Sequence, residues 1–308
     1  MSSTPAPTPP HAAPRPDDPL RGILLILSAV LLFSIADAMA KHLAQTLPAL
    51  QVVWLRFLVF FPLTLLALAR RGGSKLLRPR MPRMQVLRGV GVAASALAFT
   101  AAVQVLPLAE ATAINFVSPT FITVLAVIFL GETVGWRRWT AIAVGLCGVL
   151  IVVRPGSAIF QPAAILPILT AAFWASAVIA TRRMAGADSS ATTLIWTAGI
   201  GFAIFTLLLP FVFVVPSWGE FGFGLLIGLV SSVPHMLVVL AYRHAPASVL
   251  APFSYTQIVT STLIGFFFFS AAPDVWTIVG AAVIAASGLY SAHRERVRSQ
   301  ERARQAAQ

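Results

Sequence analysis

Of 308 residues, 58% are hydrophobic and only 10% charged, which is too apolar for a soluble domain. The net charge of +12 does not point to a nucleic-acid binder, because the basic residues lie between apolar runs and not on one face of a folded domain. Cys147 is the only cysteine, so an intrachain disulfide framework and a Cys-based metal cluster are excluded.

Residues 1–20 are rich in Pro, Ala, Ser and Thr and lack an apolar core. They read as a disordered cytoplasmic tail and not as a cleavable signal peptide. Ten apolar runs follow, each about 20 residues long, enough for a helix to cross a ~30 Å hydrocarbon core. They are Gly22–His42, Pro48–Ala69, Val86–Leu106, Leu108–Leu130, Trp136–Val153, Ala163–Thr181, Ala191–Val214, Phe221–Tyr242, Ala247–Ser270 and Val275–Ala292. Residues 294–308 form a basic cytoplasmic tail. The short alternating segments of a membrane barrel are missing from the sequence. The predicted fold is therefore an all-α membrane protein of ten transmembrane helices.

With the N-terminus inside, 19 of the 22 Lys and Arg fall on the cytoplasmic side. The opposite side receives only Lys41 and Arg154, and Arg56 lies within a span. That asymmetry puts both termini in the cytoplasm of a bacterial-type inner membrane. The basic stretch from Arg70 to Arg88 is mainly a topology anchor, and it also suits contact with anionic membrane lipid.

The chain repeats itself. Trp136, Ala141, Gly148 and Arg154 recur 140 positions later as Trp276, Ala281, Gly288 and Arg294. One residue out of that register, Leu106-Pro107-Leu108-Ala109 resembles Ala245-Pro246-Ala247-Ser248. Each copy holds five spans, so the second must enter the membrane from the opposite face. The expectation is two inverted five-helix repeats, residues 21–154 and 163–293, as in secondary transporters.

These residues carry a family resemblance. Leu130-Gly131-Glu132 with Trp136 and Gly148 resembles the first-repeat signature of the EamA-type branch of the drug/metabolite transporter superfamily. Residues Ala251-Pro252-Phe253-Ser254-Tyr255-Thr256-Gln257, with Pro273-Asp274, Trp276, Gly280 and Gly288, are similar to its second repeat. In two places the repeats differ: Ala271-Ala272 stands where the first has Gly131-Glu132, and Thr140 where the second has Gly280. Asp37, Lys41, Arg56 and Arg88-Gly89 look like the branch containing S-adenosylmethionine uptake and riboflavin transporters. The resemblance implies a secondary transporter of a small organic metabolite working by alternating access. Export of amino acids or other metabolites by the same family stays open beside uptake.

Ionisable groups within spans are costly and need a reason. From helix rise, Asp37 lies ~7 Å, Arg56 ~4 Å and Glu110 ~13 Å beyond the span centres, all towards the outer side. They are candidates for a gate or an ion pair. Ser34, Asp37 and Lys41 fall within ~60° of one another on the first span and should face the protein interior. Near the midplane, Thr112, Asn115 and Ser118 share one helical face, and Pro119 cannot donate to the Asn115 carbonyl. Ser254, Gln257 and Ser261 share a face of the ninth span. By resemblance both helices surround the central cavity.

Asn115, Gln257, Ser118, Tyr255, His235 and Trp174 are the candidate substrate-binding residues. Each has a plainer reading beside it. Ser118 and Ser261 also serve as ordinary interhelical hydrogen bonders, His235 as a packed histidine, and Trp174 and Tyr255 as packing aromatics. Glu132, next to Arg137 and Arg138, reads as structural, and the pairs Gly89/Gly91 and Gly280/Gly288 as sites of close helix contact. The expected partners are a small organic solute, membrane lipid and a second copy in a homodimer, with no nucleic acid, cofactor or metal. A membrane-embedded enzyme is the competing class, but the five histidines are scattered and no phosphate-binding glycine loop is present.

Overall fold

The computed structural model describes residues 18–71, 77–132, 135–157, 161–184, 186–245 and 247–306. Most of the N-terminal tail and Lys75 lie outside the described residues, and so do the side chains of Arg70, Arg71, Arg137, Arg138, Tyr242 and Arg243. The described residues form twelve α-helices and no strand. These are α1 (Pro19–Leu43), α2 (Ala49–Arg71), α3 (Pro82–Val105), α4 (Leu108–Asn115), α5 (Ser118–Leu130), α6 (Trp136–Val153), α7 (Ile165–Arg183), α8 (Ser190–Leu208), α9 (Trp218–His244), α10 (Ala247–Ser254), α11 (Thr256–Phe269) and α12 (Val275–Ala306).

Among the described residues, seven helical segments are long and apolar enough to cross a membrane, the fourth of them α4 and α5 taken together. Two shorter apolar helices, Trp139–Val153 and Val275–Ser291, accompany them. The protein is a multi-pass membrane protein. Exposed Leu, Ile, Val and Phe side chains such as Leu207, Phe211, Phe267 and Phe268 are what a lipid-facing surface requires.

The helices depart from unbroken rods in ways that proline chemistry largely explains. The run Leu108–Leu130 is split because Pro119 leaves the Asn115 carbonyl without its helical donor. The chain ends α4 at Asn115, turns the Phe116 N–H back onto Thr112 and Ala113 carbonyls at 3.2 Å, and restarts at Ser118. The run Ala247–Ser270 also splits, at Tyr255, whose N–H bonds the Pro252 carbonyl at 3.3 Å, although Pro252 lies inside α10 and no proline follows the break. The eighth helix stops at Leu208 and not at Val214, because Pro210 permits only a single 3-10 turn beyond it. At the other end of the chain α12 continues through the basic segment as far as Ala306.

Packing brings distant parts of the chain together. The long contacts run between α1 and α9 and between α3 and α7. Others join α2 to α9, α3 to α8, α5 to α7, α11 to α1 and α6 to α12. The last pair crosses on two glycines. A Cβ on Gly148 would sit 3.0 Å from the Gly280 carbonyl oxygen, and one on Gly280 only 2.7 Å from the Gly148 oxygen. Gly91 also permits close approach, facing Ser176 and the Phe173 carbonyl of α7, whereas a Cβ on Gly288 would strike the Tyr255 side chain.

Gln51 shows how the extended segment after α8 is held. Its buried amide donates to the Val214 carbonyl at 2.7 Å and accepts the Val214 N–H at 3.0 Å. Gln51→Leu removes both of these bonds, each worth about 0.5–1.5 kcal/mol net. A clear fall in the denaturation midpoint of the detergent-solubilised protein is the expected result.

Candidate functional site

The two helix breaks meet. Phe116, at the end of α4, and Tyr255, between α10 and α11, pack ring on ring with centroids 5.0 Å apart. Beside them the side-chain oxygens of Asn115 and Thr112 are buried and have no hydrogen-bond partner among the described residues. Buried polar atoms are nearly always bonded, so an unpartnered amide oxygen at a broken helix is the type of group a ligand satisfies. Tyr255 keeps its position because Gly288 of α12 has no side chain to displace it.

A cavity of about 390 Å³ starts at this aromatic pair. Its walls are Pro119, Thr120 and Thr123 of α5, Ile142 and Gly145 of α6, and Ile284, Ser287, Gly288 and Ser291 of α12. Glu132 and Arg182 line it as well, joined by an ion pair of 3.1 Å. The volume falls within the usual ~300–1,000 Å³ of small-molecule sites. The lining mixes rings, hydroxyls and one ion pair. It suits a planar solute with polar edges.

A second polar centre lies where α1, α2 and α9 come together. Ser34 and Asp37 are buried, Arg56 is partly buried and close enough to Asp37 for their charges to interact, and no direct ion pair within 4.0 Å joins them. His235 of α9 stands against Phe33 at 5.1 Å and Phe60 at 5.7 Å, with its Nδ1 3.0 Å from the Ser231 carbonyl. Ser34 shares hydrogen bonds with Thr260 at 2.6 Å and Ser261 at 3.3 Å, tying α1 to α11. Ser261 is thereby committed to helix packing. The side-chain amide of Gln257 makes no hydrogen bond among the described residues and stays partly exposed.

Other charged residues have structural attachments. Lys41, buried on the Asp37 face, donates to the carbonyls of Val103 at 2.5 Å and Leu106 at 2.8 Å, closing the C-terminus of α3. Arg88 ties α3 to Thr181 of α7 at 2.8 Å and to Thr197 of α8. Glu110 does not join Asp37 and Arg56. Its charged neighbours are Arg154 and Asp274, which form an ion pair at the opposite end of α6 and α12 from Glu132. Burial works against the charge of Asp274, but the Thr277 hydroxyl and N–H and the Arg154 guanidinium hold its carboxyl below the usual range. Glu132 is joined to Arg182, and Arg183 donates to the Phe129 carbonyl at 2.6 Å.

Trp174 occupies the face of α7 that carries buried Pro167, Thr170, Ala171 and Ala177, directly opposite exposed Ile165 and Leu169. It is nevertheless 40% exposed. Ser118, at the start of α5, is partly buried beside the first helix break. Sequence reasoning overlooked Phe116. Its separation from Tyr255, 139 residues, is the register that relates Pro107 to Pro246, so the repeat itself pointed to the pair.

The comparisons agree with this architecture. The model of the EamA-like transporter family matches twice, at residues 20–154 and 161–291. A riboflavin transporter from Rhizobium johnstonii is 30% identical over 92% of this chain and 94% of its own length. The S-adenosylmethionine uptake transporter of Rickettsia prowazekii is 27% identical over 90% and 94% of the two chains. A pseudopaline exporter from Pseudomonas aeruginosa is 30% identical over 85% and 93%. A solved crystal structure shares the fold with a TM-score of 0.61 and 22% identity, covering 88% of this chain and 96% of that one. With both matches together spanning nearly all of α1 to α12, the chain belongs to the EamA-like transporter family.

Proposed function

We propose that this protein is a secondary transporter that carries a ring-bearing organic metabolite across a bacterial inner membrane by alternating access, holding it where the two broken helices meet. The observation that carries the reading is the Phe116–Tyr255 contact beside the unpartnered Asn115 oxygen, at the inner end of the 390 Å³ cavity. Broken helices at such a site are how transporters present freed backbone and polar groups to a solute. Asn115, Gln257 and Ser118 supply polar contacts there and Tyr255 a ring, while His235 and Trp174 are offered as rings elsewhere on the solute's path.

The reading includes ten spans in two inverted halves. Its support is the way the contacts pair: α1 with α9 mirrors α3 with α7, and α11 with α1 mirrors α5 with α7. The two family matches and the equivalent helix breaks are in keeping with it. The charge asymmetry supports cytoplasmic termini. Reporter fusions after Ala69 and Arg183 should then read cytoplasmic, and one after Ser217 periplasmic. A periplasmic signal after Arg183 contradicts the orientation.

The names of the relatives favour a flavin or an S-adenosylmethionine-like solute, both of which carry a planar heteroaromatic ring. The pseudopaline exporter supports export as a second reading of direction. A thermal-shift screen of the purified protein against flavins, nucleosides, amino acids and S-adenosylmethionine tests the substrate class. A flavin or S-adenosylmethionine should raise the midpoint in a concentration-dependent way. Stabilisation by plain amino acids alone would reject a ring-bearing substrate.

A further inference from the structure

The cavity has a feature that ring recognition alone does not use. Its lining includes a carboxylate and a guanidinium in contact, Glu132 just beyond the end of α5 and Arg182 in the last turn of α7. The bond is single, from Arg182 Nη1 to Glu132 Oε1, so one carboxylate oxygen and the rest of the guanidinium fork remain outside the pair. The two side chains are 40% and 43% exposed, so neither charge is desolvated and their mutual attraction is weak. Such a pair exchanges readily for groups of matching charge. α5, of 13 residues, separates the Glu132 end of the cavity from the Phe116 end by roughly 18 Å at ~1.5 Å per residue, with the Glu132 N–H turned back to the Ala126 carbonyl at 3.3 Å. Mouth and floor therefore act in sequence. Between them runs a hydroxyl-bearing wall of Thr120, Ser287 and Ser291.

We propose that Glu132 and Arg182 form a charge-reading entry site for zwitterionic solutes, deepening the transport reading above. The carboxylate of the solute takes the Arg182 guanidinium while its ammonium takes Glu132. On the orientation above this end of the cavity is cytoplasmic, so the mutual bond opens as the solute passes between the cytoplasm and the Phe116–Tyr255 site, in whichever direction it is carried. Arg183 plays no part in the exchange, since it is engaged with the Phe129 carbonyl. The second repeat has Ala271-Ala272 where the first has Gly131-Glu132, so the device exists at one end of the molecule only. At the other end the charges are Arg154 and Asp274, with Glu110 nearby.

The test uses the full-length protein in a Cys147→Ser background. Glu132 and Arg182 are replaced together by cysteine, and S-adenosylmethionine, whose amino-acid end pairs an ammonium with a carboxylate beside its sulfonium, and uncharged riboflavin serve as the ring probes. In a second arm, Ser291→Cys reports access to the cavity through its rate of reaction with a membrane-impermeant maleimide. Oxidative cross-linking of the cysteine pair should slow labelling of a cysteine at position 291 at least about tenfold, and reductant should restore it. Arg182→Met and Glu132→Gln should each raise the half-saturating S-adenosylmethionine concentration about tenfold while leaving riboflavin stabilisation within twofold. Unchanged labelling after cross-linking, or equal losses for both probes, overturns the entry site. Labelling needs no transport, so it separates this failure from failure of the transport reading, which would show as no stabilisation or uptake of either probe by the unmodified protein.

Discussion

Arg56→Met should destabilise the protein by roughly 2–4 kcal/mol, and neutralising Asp37 as well should recover most of that loss. Arg56 is the positive charge that faces the buried Asp37 carboxylate. Lys41, one turn further along the same face, is already engaged by the Val103 and Leu106 carbonyls. Removing Arg56 alone leaves the carboxylate in a bundle interior without compensation, and removing one member of a buried pair typically costs more than the pair contributes. The Asp37→Asn/Arg56→Met double variant separates two roles. If the pair only held α1 and α2 together, the recovered protein would transport at the wild-type rate. Because the two groups are not locked in a direct ion pair and lie near the His235–Phe33–Phe60 cluster, they are free to take part in solute movement. The expected double variant is folded and at least about tenfold slower. Expression, denaturation midpoint and initial uptake rate measure the three outcomes.

Asn115→Ala should give the opposite split, losing transport while keeping stability. The Asn115 side-chain oxygen makes no hydrogen bond among the described residues, so removing it takes no such bond from the fold and relieves an unsatisfied polar atom. A hydrogen bond to solute is worth on the order of 1.4 kcal/mol, or about tenfold in affinity. Tyr255→Leu should lose a similar factor through the ring contact, with some loss of packing in the gap above Gly288. A tenfold rise in half-saturation with an unchanged denaturation midpoint is the expected signature of Asn115→Ala. An unchanged half-saturation with a lowered midpoint would return Asn115 to helix packing.

Much of the fold was written in local chemistry. Apolar runs of membrane length mark the helices, and Pro119 alone accounts for the break after Asn115, because a missing N–H is a property of one residue. Pro210 ends α8 for the same reason, although the run of apolar residues around it reads as continuing to Val214. The burial of Ser34, Asp37 and Lys41 followed from their shared helical face. Partner choice was harder to read. Spacing set Lys41 beside Asp37, yet the free carbonyls at the end of α3 hold its ammonium, and they come from a segment some 60 residues away. Depth grouped Glu110 with Asp37 and Arg56, whereas the crossing of α4 with α6 and α12 places it near Arg154 and Asp274. Depth along a helix says nothing of rotation about it. Phe116 looked like one apolar residue among 21 phenylalanines until its helix break met the break at Tyr255.

Flux through the purified protein in liposomes is the most direct measure of the central claim that a ring-bearing metabolite passes by way of the Phe116–Tyr255 site. Radiolabelled riboflavin and S-adenosylmethionine are offered separately to liposomes containing wild-type protein, Asn115→Ala or Tyr255→Leu, with protein-free liposomes as the baseline. The account predicts saturable uptake of at least one of the two solutes by the wild type, inhibition by the same solute unlabelled, and about a tenfold lower rate in both variants at subsaturating concentration. Uptake of both solutes at the protein-free baseline, or wild-type rates in both variants, would contradict it.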